Sequence, residues 1–513
     1  MVLVMTNFKI AFISTPTRTN VPNGIPPLGI LYLAAYLRKN GYAVQILDVA
    51  RTRQSNETII QELKDIKPDL IAISGIITAY KFIYDLVKDL KQSLPDIPIV
   101  IGGHVVLDTI DLLLKKIGCD YVITSYGEKS LMYLCEALEN KRELSDIPGL
   151  SYIENDIIHT NHGLVFFENI DDIPQPAYDL VDMEYYVTIE KHNPTLQYCI
   201  ATDKLVPFTR SAPIIGARGC TDRCSFCVHE FEHRGFYVHS IKYVMENIEI
   251  LYNTYNVRIF IIGEDLFLYK PEQASQLVVE MNTRFPDAYF TCNIRADYVN
   301  RELVNILSGS NCFAVFYGFE SGDEKILKML GKRMKPSINI SAYKTIKTSS
   351  IKPTCSFMIG SPGETDIAIQ NTIDAIKEAG VTEGGIFYTT PYPGSRLFRW
   401  CVEQKRIVDI HEYLLSISNK DASQLRFNFT PYPDIIVKCM YVMVQNAFYD
   451  NMKKTGKKTE IGLRNRVVKH WFVPMVYHGY FGMRWLFDKV GCSGDVCYEL
   501  NKKGTVRLSS DKE

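Results

Sequence analysis

From residue 9 the chain alternates short unbroken apolar runs with longer stretches in which apolar positions recur every three to four residues. The runs KIAFIS (9–14), AVQILD (43–48), LIAISG (70–75), IPIVIGG (97–103) and YVITS (121–125) predict strands covered on both faces. Between them, GIPPLGILYLAAYLRKNGY, NETIIQELKDIKPD, AYKFIYDLVKDLKQSLPD and VLDTIDLLLKKIGCD carry the helical period, and EKSLMYLCEALEN closes the series. Five such alternations predict a doubly wound, Rossmann-like parallel sheet over 1–145. Residues 146–205, with IDDIPQPAYD, lack periodicity and read as a linker. A second series starts at APIIGARGC and runs to GGIFYTTPYPGS with six strand–helix units, which predicts a full or partial parallel TIM-type barrel over 206–400. Residues 401–513 read as a mainly helical C-terminal region.

Both architectures bind ligands beyond the C-terminal ends of their strands. In the first series those ends hold Thr15 and Pro16, then Ser74, Gly75 and Thr78, then Gly102, Gly103 and His104, then Tyr126, Gly127 and Glu128. Small hydroxyls and glycines let an extended ligand reach the backbone, although tight turns need the same residues. No G-x-G-x-x-G follows the first strand, which argues against a dinucleotide. In the second series the ends hold Cys220, Cys224 and Cys227, then Glu264 and Asp265, Arg295, Glu320 and Ser321, the segment 360–364, and the segment 391–394. Charged groups at the ends of separate strands converge on one mouth.

The totals narrow the function. With 57 basic and 58 acidic residues the net charge is −1, so no nucleic-acid partner is expected. No apolar window is long enough to span a bilayer, and the N-terminal run lacks a basic flank and a cleavage site. Thirteen scattered cysteines suit a reducing, cytoplasmic setting better than a disulfide framework. Cys492 and Cys497 form a second, looser pair that also reads as two unrelated thiols.

The three clustered cysteines in GARGCTDRCSFCVHE pose a sharper question. With His229 they could form a Cys₃His zinc site, but the Cys227-x-His229 spacing is short for one and no second C-x₂-C pair follows. An iron–sulfur cube held by three thiolates leaves one iron open to a chelating substrate.

Cys220-x₃-Cys224-x₂-Cys227, with Phe226 before the last cysteine, resembles the signature of the radical S-adenosylmethionine superfamily. IIGEDLF, IRADYV, YGFESGDEKILKMLGK, MIGSPGET and PYPGSRLF resemble its later segments, and PPLGILYLAAYLRKNGY, IVIGGH and YGE resemble its cobalamin-binding subgroup. The likeness spans residues 8–400. It implies a [4Fe-4S] cluster on the three cysteines. S-adenosylmethionine is then placed near Phe226, Glu264, Asp265, Arg295, Glu320 and Ser321, and cobalamin on the strand ends of the first domain. The D-x-H-x-x-G of better-known cobalamin domains is missing from STPTRTNVPNG, so the implied cobalt has no histidine below it. The implied reaction is methylation of an unactivated carbon through a 5′-deoxyadenosyl radical and methylcobalamin. The alternative is a radical oxidoreductase or cyclase acting on a tetrapyrrole or lipid-like substrate without methyl transfer. Either needs an external electron donor such as flavodoxin or ferredoxin, and a monomer is expected. RVVKHWFVPMVYHGYFGMRWLF (466–487) would cap the barrel, shape an apolar substrate pocket, or touch a membrane surface.

Overall fold

The computed structural model describes residues 6–18, 23–124, 126–163, 167–188, 210–228, 235–263 and 266–454, and beyond these Tyr477, Tyr480, Tyr498–Leu500 and Val506–Leu508. Glu264, Asp265, His229, Cys492, Cys497 and nearly all of 466–487 lie outside the described residues.

The first unit is built on strands β1 (Lys9–Ser14), β2 (Ala43–Leu47), β3 (Leu70–Ser74), β4 (Ile99–Gly102) and β5 (Tyr121–Ile123). They pair in parallel in the order β2-β1-β3-β4-β5, the flavodoxin-like arrangement, with the direction of winding reversing between β1 and β3. Helices α1 (Leu28–Lys39), α2 (Asn56–Ile66), α3 (Tyr80–Ser93) and α4 (Gly127–Leu138) cover its faces. Ser55 caps α2 by accepting from the Thr58 amide, and Lys67 ends it in a left-handed turn. Part of the expected linker folds differently from the sequence reading. Strands β6 (Leu150–Glu154) and β7 (Ile157–Thr160) form an antiparallel hairpin that extends this sheet to seven strands. The alternation SYIENDIIHT around the Asn155–Asp156 turn is a hairpin pattern, and both turn residues take positive φ.

The second unit is a six-stranded parallel sheet in unbroken chain order: β8 (Ser211–Ile214), β11 (Ile259–Ile262), β12 (Tyr289–Asn293), β13 (Cys312–Glu320), β14 (Lys352–Ile359) and β15 (Gly384–Tyr388). β15 does not pair back to β8, so the barrel is partial. Helices α5 (Ile241–Tyr255), α6 (Pro271–Arg284), α7 (Arg301–Ser308), α8 (Glu324–Met329), α9 (Pro336–Lys347), α10 (Asp366–Ala379) and α11 (Arg396–Glu403) wrap it. Two helices, α8 and α9, follow β13 where the sequence reading expects one. The first strand also ends earlier than expected. After Ile214 the chain leaves the sheet, and β9 (Ala217–Arg218) pairs with β10 (Tyr237–Val238) as an antiparallel ribbon, so the cysteines sit on a loop closed by this ribbon.

The two units share packing. Leu28 and Leu31 of α1 belong to the same buried cluster as Ile214, Phe260, Phe319 and Phe357 of the half-barrel. Beyond it, α12 (Ile410–Ile417) packs Leu414 and Ile417 against the α3 side of the first unit. There Tyr80 and His411 share a hydrogen bond of 2.8 Å. The long α13 (Asp434–Lys454) lies against α10 and the sheet. The C-terminal region is not wholly helical: Tyr498–Leu500 and Val506–Leu508 pair as a ribbon.

Candidate functional site

The cysteine loop is held at its base. Gly219 takes φ +83°, and a Cβ there would lie 2.2 Å from the Gly235 carbonyl oxygen, so the two arms close only around glycine. Beyond the base, the Ser225 amide donates to the Leu330 carbonyl at 2.8 Å and its hydroxyl to the Met329 carbonyl at 3.1 Å. The Leu397 amide donates to the Ser225 carbonyl at 2.8 Å. Phe226 packs its ring among Leu330, Met358, Leu397 and Phe398, which wedges the loop between α8 and α11.

Ten cysteines are described as free thiols. Seven are buried, and Cys220, Cys224 and Cys227 are the three that are partly exposed. Among the described residues no three His, Cys, Asp or Glu side chains are arranged around a single metal ion. Burial pushes the Cys224 thiol up to about 12, while the Lys332 ammonium draws it the other way. Three partly exposed thiols outside any disulfide, on a loop pinned by backbone hydrogen bonds, fit the donor set of a three-thiolate cluster.

Arg295, after β12, reaches the loop. Its guanidinium pairs with Asp222, two residues before Cys224, and with Asp297 at 2.7 Å. Burial opposes ionisation of Asp222, but Arg295 outweighs it and holds the carboxyl below the usual range. Glu320 ends β13 beside a register shift, in the left-handed region at φ +62°, and its carboxylate pairs with Lys332 at 3.1 Å. Lys332 also donates to the Gly318 carbonyl at 2.7 Å. A non-glycine residue in this conformation is strained and held by its surroundings, as functional sites often are. Ser321 is turned elsewhere: its buried hydroxyl meets Thr372 Oγ1 at 3.2 Å and accepts from the Asp323 amide. Glu364, after β14, accepts from the Gly360 and Ser361 amides through one oxygen, and the other is buried without a partner. Burial pushes its carboxyl up to about 8.

On the first unit, Ser14, Ser74 and Gly102 stand in register across β1, β3 and β4. Thr15, Ser74, Gly75, Gly102 and Gly103 therefore cluster at the point where the winding reverses. The Thr15 hydroxyl donates to the Ser74 carbonyl, and a Cβ on Gly103 would lie 2.7 Å from the Gly75 carbonyl oxygen. Pro16 is buried beside them. The Thr78 hydroxyl donates to the Thr17 carbonyl, and His104 opens the turn after β4. This floor of backbone and small side chains fits a broad ligand rich in amides, and it offers no histidine from the loop after β1.

Tyr126, Gly127 and Glu128 do something the sequence does not reveal. Glu128 is buried in the first turn of α4 and pairs at 2.7 Å with Arg218 of β9, two residues before Cys220. The Arg218 guanidinium lies 5.2 Å from the Tyr32 ring centre and 5.6 Å from that of Tyr126. His239, after β10, is buried. It contacts Asp171 at 2.9 Å and stacks on Tyr243 at 3.9 Å, and burial keeps it neutral down to about 4. Sequence reasoning missed Arg218, Asp222, His239 and Lys332. For the first two, position beside the cysteines was the available signal.

A flavodoxin-like unit latched to a half-barrel whose first strand leads into a three-cysteine loop defines a two-module cofactor enzyme. Residues 15–134 match the family described as B12 binding domain, and residues 214–376 match the Radical SAM superfamily. The chain thus combines a B12 binding domain with a Radical SAM domain, the pairing that marks the cobalamin-binding-domain subgroup of the radical S-adenosylmethionine superfamily. It is 28% identical over 409 residues to an uncharacterized methyltransferase of Pyrococcus horikoshii, covering 79% of this chain and 85% of that one. It is 23% identical over 397 residues to the anaerobic magnesium-protoporphyrin IX monomethyl ester cyclase of Rubrivivax gelatinosus, covering 76% and 68%. Its fold is similar to that of the radical S-adenosylmethionine methyltransferase TsrM from Kitasatospora setae, solved with cobalamin and a [4Fe-4S] cluster bound. That likeness has a TM-score of 0.61 and 18% identity, and covers 79% of each chain.

Proposed function

We propose that this protein is a cobalamin-dependent radical S-adenosylmethionine methyltransferase that methylates an unactivated carbon of a small organic substrate. The observation that carries the reading is the placement of three partly exposed cysteines on a loop tied directly to the strand-end face of a B12-type unit. When bound, the cluster, S-adenosylmethionine and cobalamin supply a radical initiator and a transferable methyl group. Cys220, Cys224 and Cys227 would hold the cluster. Glu320 and Arg295 would contact S-adenosylmethionine, together with Glu264 and Asp265. Phe226 and Ser321 shape the walls through packing and turn geometry. Thr15, Pro16, Ser74, Gly75, Thr78 and Gly102 to His104 would support cobalamin, with Tyr126 to Glu128 bordering that face. The chain's own work is to hold these groups in one frame and to exclude water from the space between them.

The cyclase among the relatives favours one alternative, oxidation or ring closure of a tetrapyrrole-like substrate without methyl transfer. In either case an external reductant is required.

The test is anaerobic reconstitution with iron and sulfide. The wild type should show the broad iron–sulfur absorption, and Cys224→Ala should lose it along with bound iron. One zinc and no iron in the wild type would refute the reading. Given a substrate, methyl-labelled S-adenosylmethionine decides between the two reactions: label in the product supports methylation, and an unlabelled, oxidised product supports the cyclase type.

A further inference from the structure

Some exposed cations stand next to carboxylates: Lys81 with Asp85, Arg284 with Glu249, Arg38 with Asp179 and Lys344 with Glu378. The surface around the cysteine loop concentrates cations without a matching number of acids. Between Asp323 and Lys335 five basic residues stand against two acidic ones, in a chain whose net charge is −1. One of the two acids, Asp323, is already committed, because it caps α8 through the Lys325 and Ile326 amides and accepts from Asn371. Lys325, Lys328 and Lys335 are exposed, and among the described residues none has an acidic partner. Lys325 and Lys328 share one face of α8 with Met329, which is 55% exposed. Arg333, 71% exposed, lies 3.7 Å from Asp222 at the rim. Arg223 is exposed on the cysteine loop itself, and the Arg396 guanidinium donates to its carbonyl.

This belt is joined to the loop. Ser225, between Cys224 and Cys227, bonds to the carbonyls of Met329 and Leu330. A Cβ on Gly331 would lie 2.9 Å from the Arg223 carbonyl oxygen. The exposed face of α8 is therefore separated from the cysteines by a single hydrogen-bonded layer. Unpaired like charges repel one another and lower stability. Here they border the loop that carries three partly exposed thiols, next to an apolar Met329, and Glu128 of the first unit pairs with Arg218 at the base of that loop.

We propose that the α8 face, with Lys325, Lys328, Met329, Arg333 and Lys335 around Arg223, is the docking surface for an acidic one-electron carrier protein. The inference rests on the radical S-adenosylmethionine reading and adds where the electron enters and what charge its carrier bears. One electron passes from the reduced carrier to the protein's cluster, and no covalent bond changes. Nucleic acid is the other polyanion such a belt could meet. The balanced total charge and the ring of cations around a cysteine loop favour the carrier.

The test uses reduced flavodoxin as the carrier and the full chain in two forms, as purified and anaerobically reconstituted. In the Lys325→Glu/Lys328→Glu/Lys335→Glu variant, flavodoxin binding to the chain without cluster should weaken by about tenfold or more at low salt. Its salt dependence should flatten, as expected when rim charges steer association. Cluster reduction by flavodoxin should slow to a similar extent, while reduction by dithionite, which needs no docking, should match the wild type. Lys64→Glu, a like charge change on α2, should leave all three readouts unchanged. Unaltered flavodoxin binding and reduction in the triple variant would overturn the proposal, and so would parallel loss of dithionite reduction. Binding of transfer RNA that the same reversals abolish, with flavodoxin reduction intact, would reassign the surface to nucleic acid. A wild type that loads no iron would instead defeat the cofactor reading, and the binding arm would still report on the surface.

Discussion

Glu364 shows how one side chain can couple the half-barrel to pH. It is fully buried, one oxygen accepts two backbone amides, and burial lifts its carboxyl from 4.5 to about 8. The folded protein thus keeps a proton that the unfolded chain releases above its ordinary value. Between those two values the native state binds more protons, so this group's stabilising contribution is complete below about 4.5 and falls as pH rises towards 8. The slope approaches roughly 1.4 kcal/mol per pH unit within that window. Glu364→Gln keeps an acceptor for the Gly360 and Ser361 amides and cannot ionise. Thermal midpoints measured from pH 5 to 8 should decline more for the wild type than for this variant, and equal slopes would contradict the assignment. The sequence places Glu364 at a strand end, but its burial and its unpartnered oxygen come from the packing of β14 against α13 and Tyr477, which no local pattern reveals.

Among the elements, two glycines of the first unit carry opposite expectations, Gly103 in a strand-end loop and Gly29 in a helix. Gly103 has φ +85°, and a Cβ there would press on the Gly75 backbone and on Ser74 Oγ. Gly103→Ala should cost roughly 1–3 kcal/mol in backbone strain alone. It should also weaken cobalamin retention after gel filtration, because the floor at the winding reversal shifts. Gly29 lies in the first turn of α1, and a Cβ placed on it would meet nothing within 4 Å, so Gly29→Ala should stabilise by roughly 0.5–1 kcal/mol in urea titrations. Both parallel sheets were readable from apolar runs, since strands buried on both faces have nothing else to show. The β9–β10 ribbon was not, because it pairs two residues with two across a loop of 18 residues, and the pairing leaves no periodicity in the sequence. The β6–β7 hairpin had a readable alternation, but the prolines that follow it drew the whole segment into a linker reading. The cysteines announced themselves by spacing. Lys332 did not, because a lysine among five basic residues looks like a solvated face until Glu320 is found beside it.

Across the whole molecule, two modules must keep a fixed relation if groups held on one are to react with groups held on the other. Shared apolar packing supplies adhesion without direction, since it does not favour one docking angle over a nearby one. The Glu128–Arg218 pair supplies direction. It joins the first turn of α4 to the ribbon that bears the cysteine loop, with Tyr32 and Tyr126 flanking the guanidinium. Burial alone would disfavour the Arg218 cation, and the Glu128 carboxylate outweighs it. Removing one partner of such a pair leaves a buried charge uncompensated and costs about 3–5 kcal/mol, whereas replacing both with neutral groups costs far less. Glu128→Gln should therefore destabilise the protein more than Glu128→Gln/Arg218→Met does, giving a coupling that a double-mutant cycle can read. If the pair also sets the angle between the modules, Glu128→Gln should split a joint unfolding transition into two, detected by circular dichroism in urea. The iron content of the reconstituted protein should stay intact, because the cysteines keep their contacts to α8 and α11. Additive single and double variants with an unsplit transition would show that the ion pair is incidental and that the apolar contacts alone fix the modules.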